Sequence, residues 1–228
     1  MKNFLLTSVF LVGLSGIASA ADAVVLEPSP EILPAGFAWT GGYVGLQAGY
    51  GWGDGELLAD VAAAPADIDG WLGGVYAGYN HQLANNIVVG IDADIAWSGV
   101  DGIGQVILLG FPVPGGGIDY ELNWTGAVRA KLGYAVDRFL PYIAGGVAFA
   151  GADATLLGNG TPFQEFSDTL VGWTVGVGVE YAITDKLLAR AEYRYTDYGD
   201  LDFSGLGSTT GSFGFKTNDV RFGVAYKF

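Results

Sequence analysis

The sequence predicts an all-β protein: an eight-stranded antiparallel up-and-down transmembrane β-barrel with short periplasmic turns and long extracellular loops. Large apolar residues alternate with small or charged residues in eight segments, a period of two that is typical of strands with two unlike faces. The connections between these segments alternate between short and long, which is the pattern of barrels that cross a bilayer. Outside the N-terminus no apolar run is long enough for a spanning helix.

Residues 1–20 are predicted to be a cleaved signal peptide. Lys2 supplies its positive charge, Phe4–Leu14 its apolar stretch, and cleavage is expected between Ala20 and Ala21. Loss of Lys2 changes the formal net charge from −14 to −15, which excludes nucleic acid as a partner because phosphate binding needs clustered basic residues. The chain has no cysteine, so any membrane attachment must come from the fold rather than from a lipid-modified cysteine.

Residues 21–38 are predicted to be a proline-rich periplasmic linker, because Pro28, Pro30 and Pro34 occur there without any periodicity. The barrel is predicted to occupy residues 39–228, with the sixth and seventh strands in the hairpin Thr169–Asp200. The other six strands are predicted at Gly42–Trp52, Trp71–Gln82, Ile87–Trp97, Asp119–Tyr134, Phe139–Gly151 and Asn218–Phe228.

Two sets of connections join these strands. The short turns are predicted near Gln82–Asn86, Ala135–Arg138 and Thr184–Lys186. The long loops are predicted near Gly53–Gly70, Ser98–Ile118, Ala152–Asp168 and Gly199–Lys216. Because short turns are periplasmic in barrels of this kind, the long loops are expected to face outwards from the cell.

The apolar face of the strands is expected to contact lipid. A soluble, secreted barrel with an apolar interior is the alternative. Glycine is concentrated on the polar face, and aromatic residues end the apolar face at both heights, as expected for two membrane interfaces. The last strand carries Tyr226 and ends at Phe228, which we interpret as an assembly signal.

The chain resembles the eight-stranded OmpA/OmpX-type porin-family barrels, and most of all the small outer-membrane surface antigens of alphaproteobacteria. The resemblance rests on WTGGYVG at Trp39–Gly45, GVYAGYN at Gly74–Asn80, GVEYA at Gly178–Ala182 and RAEYRY at Arg190–Tyr195. It implies an integral outer-membrane protein that is a monomer, contacts lipid and lipopolysaccharide, and is inserted by the barrel-assembly machinery. Some members bind haem, but no histidine occurs in the predicted loops.

The polar face is predicted to form a charge network inside the barrel. Its predicted members are Asp92, Asp94, Glu121, Arg129, Lys131, Glu180, Arg190, Glu192, Arg194 and Arg221. Counting from the turns brings Asp92 near Arg129 and Glu180 near Arg190. An eight-stranded barrel has room inside only for side chains, so these charges are expected to pair and to plug it. A charge-lined passive pore is the alternative.

No catalytic residue, metal site or cofactor is predicted. His81 is the sole histidine and lies beside a predicted short turn, away from the loops. The first and last loops are acidic, with Asp54, Asp67 and Asp200 among their residues; this leaves a divalent-cation site open, although the spacing matches no calcium loop. The apolar run Val106–Phe111 in the second loop is a candidate contact patch. We therefore expect a non-enzymatic structural and surface-interaction protein (envelope integrity, surface antigen), with a small porin, or a haem-type ligand-binding protein or adhesin, as alternatives.

Overall fold

The computed structural model describes residues 37–59, 62–158, 161–204 and 210–228. The predicted signal peptide, its cleavage site at Ala20–Ala21 and the linker up to residue 36 lie outside the described residues. The strands are β1 (Gly41–Ala59), β2 (Ala62–Gln82), β3 (Ile87–Leu108), β4 (Phe111–Tyr134), β5 (Phe139–Gly158), β6 (Thr161–Ala182), β7 (Leu187–Ser204) and β8 (Thr210–Lys227).

The eight strands form one closed antiparallel barrel in sequence order, which confirms the predicted all-β, eight-stranded up-and-down barrel. Each strand pairs with its neighbours in the chain, and β1 closes the ring by pairing with β8. Val44 of β1, for example, lies between Ala77 of β2 and Tyr226 of β8. Among the described residues, no helix is long and apolar enough to cross a membrane.

The two ends of the barrel differ. We call the end that holds the connections 83–86, 135–138 and 183–186 the turn end, and the opposite end the tip end. Each of these three connections has four residues and joins strands close to the predicted bounds. At the turn end the chain enters the barrel through Trp39, which is fully buried.

At the tip end the prediction of long loops is wrong for the β3–β4 connection, and most of the other three predicted loops also belongs to strands. Only Leu109 and Gly110 separate β3 from β4, and both have positive φ (52° and 84°), as a tight two-residue hairpin turn requires. The alternation is hard to read there because β-bulges between Trp97 and Val100 and between Gln105 and Ile107 shift its phase.

The outer surface of the barrel is apolar and buried charged side chains lie in its interior, so the alternative of a soluble barrel with a polar outer surface is wrong. Leu46, Ile91 and Phe222 are examples of the exposed apolar side chains on the outer face. Burying such residues is the usual driving force of folding in water, and their exposure on every strand requires an apolar surrounding.

The interior consists of three layers along the barrel. An apolar layer at the turn end is built around Trp39, Tyr43, Tyr76, Val88, Leu140 and Leu188. A second apolar layer at the tip end is built around Ile68, Val100, Ile118, Leu122, Leu170 and Phe215. Between them lies a layer of buried charged side chains, which is the candidate functional site.

Candidate functional site: the charged layer inside the barrel

Five strands supply the charged layer. Alternation along β7 points Arg190, Glu192 and Arg194 to the interior, because every second side chain of a strand lies on the same face. The buried charged side chains of the described residues are Asp92 and Asp94 of β3, Arg129 and Lys131 of β4, Glu180 of β6, Arg190, Glu192 and Arg194 of β7, and Asp219 and Arg221 of β8. These are five acidic and five basic groups, so this layer has no net formal charge.

Glu192 lies at the centre of the layer and accepts hydrogen bonds from three arginines. Its Oε1 accepts from Arg129 Nη1 at 2.7 Å and from Arg194 Nε at 3.0 Å. Its Oε2 accepts from Arg190 Nη2 at 2.5 Å and from the Tyr142 hydroxyl at 2.6 Å. A buried carboxylate needs this many donors to offset the loss of its hydration.

Arg129 joins Glu192 to Asp92 across the barrel. Its Nε and Nη2 donate to the two oxygens of Asp92 at 3.0 and 3.1 Å, and its Nη1 and Nη2 donate to the two oxygens of Glu192. The planar guanidinium suits such paired contacts with two carboxylates at once. Arg190 also contacts Asp92, at 3.0 Å, so no member of this group has a single partner.

Asp94 and Asp219 extend the network towards the tip end. Arg194 Nη2 donates to Asp94 Oδ1 at 2.9 Å, and Arg221 Nη1 donates to Asp94 Oδ2 at 3.0 Å. Arg221 also donates to both oxygens of Asp219, at 2.5 and 3.2 Å. Gln47 of β1 makes a longer contact of 3.4 Å with Asp94.

The predicted pairing of Glu180 with Arg190 is wrong. The two residues are opposite each other in the β6–β7 register, but Glu180 Oε1 accepts from Lys131 Nζ at 2.8 Å. Lys131 also donates to the Tyr43 hydroxyl at 2.9 Å. Arg190 instead contacts Asp92, Glu192 and Tyr142. Within the described residues, Glu180 Oε2 is buried without a hydrogen-bond partner.

A double-mutant cycle should distinguish these two pairings. We expect Glu180→Gln and Lys131→Met to couple by about 0.5–3 kcal/mol in the free energy of unfolding, the range found for residues in contact. Coupling between Glu180→Gln and Arg190→Met should be smaller because no hydrogen bond joins those side chains. Denaturant unfolding in detergent or lipid measures all the variants, and the opposite ranking would restore the Arg190 pairing.

Tyrosines and glycines shape the charged layer. The Tyr142 hydroxyl accepts from Arg190 Nε at 2.7 Å, and the Arg190 guanidinium lies 4.7 Å from the centre of the Tyr76 ring. A Cβ at Gly178 would lie 2.6 Å from the Tyr142 hydroxyl oxygen, closer than real contacts allow. Glycine therefore makes room in a crowded interior, which explains its concentration on this face.

The prediction that Glu121 belongs to the network is wrong, because its side chain is exposed on the outer face. Ser98 and Gly99 of β3 together oppose one residue of β4, Asn123, which is also the extra residue of β4 against β5. This bulge shifts the alternation of β4 by one position. Leu122 is consequently turned to the interior, and Glu121 to the outside.

Asp219 and the interior tyrosines were not predicted from the sequence. Asp219 lies two residues before Arg221, so the alternation of β8 already places both on one face. The interior tyrosines, Tyr43, Tyr76 and Tyr142, share faces with glycines or alanines, and this neighbourhood was the available signal. An aromatic residue on the glycine-rich face of a strand thus indicates the interior here.

A row of carboxylates crosses four strands on the outer face at the tip end. Asp69 of β2 is paired in register with Asp101 of β3, Asp101 with Glu121 of β4, and Glu121 with Asp153 of β5. Hydrogen bonds from Ser167 and Asn123 hold the pKa of Asp153 below its ordinary value. We call these four residues the carboxylate row; like charges placed directly opposite each other repel.

The charged layer has the properties of a plug. It is neutral, paired and enclosed by apolar layers on both sides. His81 is exposed beside the turn end, apart from this layer. Among the described residues, no group of three or more histidines or acidic residues is placed to hold a metal ion.

Known proteins resemble the chain over its whole length. Residues 8–228 match the family described as "Outer membrane protein beta-barrel domain". The chain is 38% identical to the 31 kDa outer-membrane immunogenic protein of Brucella melitensis, with all of both chains covered. It is 33% identical to the 25 kDa outer-membrane immunogenic protein of Brucella abortus, with 100% of this chain and 99% of that protein covered.

One solved structure illustrates the shared fold. The outer membrane protein OprG of Pseudomonas aeruginosa has a TM-score of 0.52 and 15% sequence identity, with 84% of this chain and 97% of that chain covered.

Proposed function

The chain belongs to the outer-membrane protein β-barrel family. We propose that it acts as a non-enzymatic structural protein and surface antigen of the outer membrane, and that its interior is closed to solutes. It is an integral outer-membrane protein with a structural and surface role. The observation that carries the proposal is the inverted barrel: apolar outside, with a paired and neutral charged layer inside.

The apolar belt sets the proposed placement in the membrane. Exposed aromatics surround the turn end, namely Tyr79, Tyr134, Phe139, Tyr181, Tyr226 and Phe228. A second set, Trp52, Trp71, Trp97 and Trp173, lies towards the tip end. Aromatic rings prefer the two membrane interfaces, so the strands between these sets span the bilayer and the tip end projects beyond it. The turn end then lies in the periplasm.

The interior supports a plug rather than the alternative of a small porin. Ten buried charges form ion pairs within the described residues, and an apolar layer closes the barrel on each side. An eight-stranded barrel is just wide enough for such side chains to fill it. An ion would have to cross both apolar layers as well as the paired charges.

Export and assembly complete the proposal. Residues 1–20 are cleaved as a signal peptide between Ala20 and Ala21, and residues 21–38 remain as a proline-rich periplasmic linker. Phe37 lies edge-on to Trp39 with ring centres 4.9 Å apart, so the end of the linker packs in the mouth of the barrel. Tyr226 of the final strand and Phe228, which follows that strand, are exposed, so the assembly machinery can recognise them. Surrounding lipid and lipopolysaccharide contact the outer face of a monomer.

Cysteine labelling of intact cells tests the orientation, since the natural chain has no cysteine. We expect Gln105→Cys at the tip end to react with a maleimide that is too large to cross the outer membrane. Asn85→Cys at the turn end is the matched exposed control, and it should react only after the outer membrane is opened. If Asn85→Cys were labelled on intact cells and Gln105→Cys were not, the barrel would have the opposite orientation in the membrane.

A further inference from the structure

The tip end presents an apolar projection that the barrel wall does not need. Leu109 of the β3–β4 turn and Phe111 at the start of β4 are 71% and 75% exposed. Leu108 beside them is also exposed, as is Ile103, which lies five residues before Leu108 on β3. We call these four residues the apolar finger. Exposed apolar groups beyond the membrane belt indicate contact with another molecule.

The backbone holds this finger in a defined conformation. Leu109 has φ +52°, in the left-handed region that leucine rarely adopts, and Gly110 follows at φ +84°. An asparagine at position 109 would adopt the same backbone conformation with less strain. The leucine therefore supplies an apolar side chain at the tip where turn geometry favours a polar residue.

The charge around the finger selects its partner. In the tip half of the strands, the side chains that the structure describes include eight acidic residues, namely Asp54, Asp67, Asp69, Asp101, Asp119, Glu121, Asp153 and Asp197, against one basic residue, Lys216. Lys216 is opposite Asp54 and Asp197 in the register of β8, and the carboxylate row lies on other strands. The field over the tip half of the outer wall is accordingly negative and attracts cations.

Resting on the surface location proposed above, we propose that the tip end docks a cationic amphipathic segment of another polypeptide. The apolar side chains of this segment pack against Leu109 and Phe111, and its lysines or arginines face the carboxylate row. The same negative field repels nucleic acid, anionic lipid and the tip end of a second copy of this chain. Charge complementarity thus favours a basic partner over each of these.

The size of the surface suits such a segment. The carboxylate row crosses four adjacent strands, which at about 4.8 Å per strand gives a span of about 14 Å. Along the strand direction, Asp101 of the row lies eight residues before Leu109, about 26 Å at about 3.3 Å per residue. Five turns of an α-helix rise about 27 Å, and residues three or four apart share one face. A helix of about five turns laid along β3 can therefore contact the row near one end and Leu109 and Phe111 near the other.

Peptide binding to the purified barrel in zwitterionic lipid bilayers tests the proposal. The probe is a fluorescent synthetic helix with leucines on one face and lysines on the other. We expect Leu109→Asn with Phe111→Ser to weaken binding by about tenfold or more, as truncation of interface hot spots does. Asp101→Asn with Glu121→Gln should weaken it similarly and reduce its dependence on salt.

The turn end supplies matched control variants. Leu83→Asn removes an exposed apolar side chain, and Asp137→Asn removes an exposed carboxylate. Both residues lie at the turn end, opposite the end that carries the finger. Asp137 has φ +53°, which asparagine tolerates. Neither control should change binding, and the shift in gel mobility on heating should show that every variant is folded.

Several outcomes would overturn the proposal. If a probe whose leucines are replaced by serine binds equally well, binding depends on net charge alone and the finger has no part in it. Equal binding of a probe whose lysines are replaced by glutamate would remove the charge argument. Finger-dependent binding of zwitterionic vesicles would make a lipid surface the occupant. If no probe binds while Gln105→Cys still labels intact cells, the partner class fails and the proposed surface location stands.

Discussion

Replacing Glu192 with alanine is expected to destabilise the barrel by about 3–5 kcal/mol, the usual cost of removing one partner from a buried charge network. The change leaves Arg129, Arg190 and Arg194 without their shared carboxylate, and it gives the interior a net positive charge. Arg129 would lose its two hydrogen bonds to Glu192 and keep its two hydrogen bonds to Asp92.

The measurement is denaturant unfolding in lipid vesicles, followed by tryptophan fluorescence and by gel mobility with and without heating. Glu121→Ala is a matched control, since Glu121 is acidic and its side chain is exposed on the outer face of β4. It should change stability by less than about 0.5 kcal/mol, as exposed substitutions usually do. Similar losses for the two variants would show that the network contributes little to stability.

Replacing Trp39 with alanine is expected to cost about 3–5 kcal/mol, as for other fully buried tryptophans. Trp39 closes the turn end: its backbone N–H donates to Gln82 Oε1 at 2.8 Å, and its indole Nε1 donates to the Asp137 carbonyl at 3.1 Å. Its removal opens the apolar layer there but leaves the charged layer and the layer at the tip end in place.

We therefore expect the Trp39→Ala barrel to be less stable and still closed to ions in planar bilayers. Leu83→Ala, an exposed apolar residue at the same end, is the control for stability. Steady conductance of the variant would mean that Trp39 alone blocks the barrel. Steady conductance of the unchanged protein would favour the porin alternative and refute the plug.

The barrel could be predicted from the sequence because membrane and interior impose opposite demands on alternate residues. In β1, for example, Val44 and Leu46 alternate with Gly45 and Gln47, and this alternation predicts which side chains face lipid and which face the interior. Asp92 and Arg129 could be paired by counting because they are direct neighbours on adjacent strands. Both inferences depend only on local register.

Other features depend on contacts that register does not contain. Lys131 of β4 and Glu180 of β6 meet although β5 lies between their strands, and the sequence has no signal for a pair of this kind. Glu121 was misplaced because a single bulge at Asn123 reverses the phase of β4. The length of β3 at the tip end was underestimated because bulges interrupt its pairing with β4. Gly102 and Gly104 also obscure the alternation of apolar and polar residues there.

The unequal charge of the two ends has a kinetic consequence. The interior layer is neutral, so the acidic side chains at the tip end account for most of the imbalance among the described residues. In the proposed orientation this end crosses the hydrocarbon core once, during insertion, and each ionised group resists that passage. Reversal of the insertion would meet the same barrier. In that orientation we therefore expect the direction of the barrel in the membrane to be fixed by the slowness of this step rather than by an equilibrium.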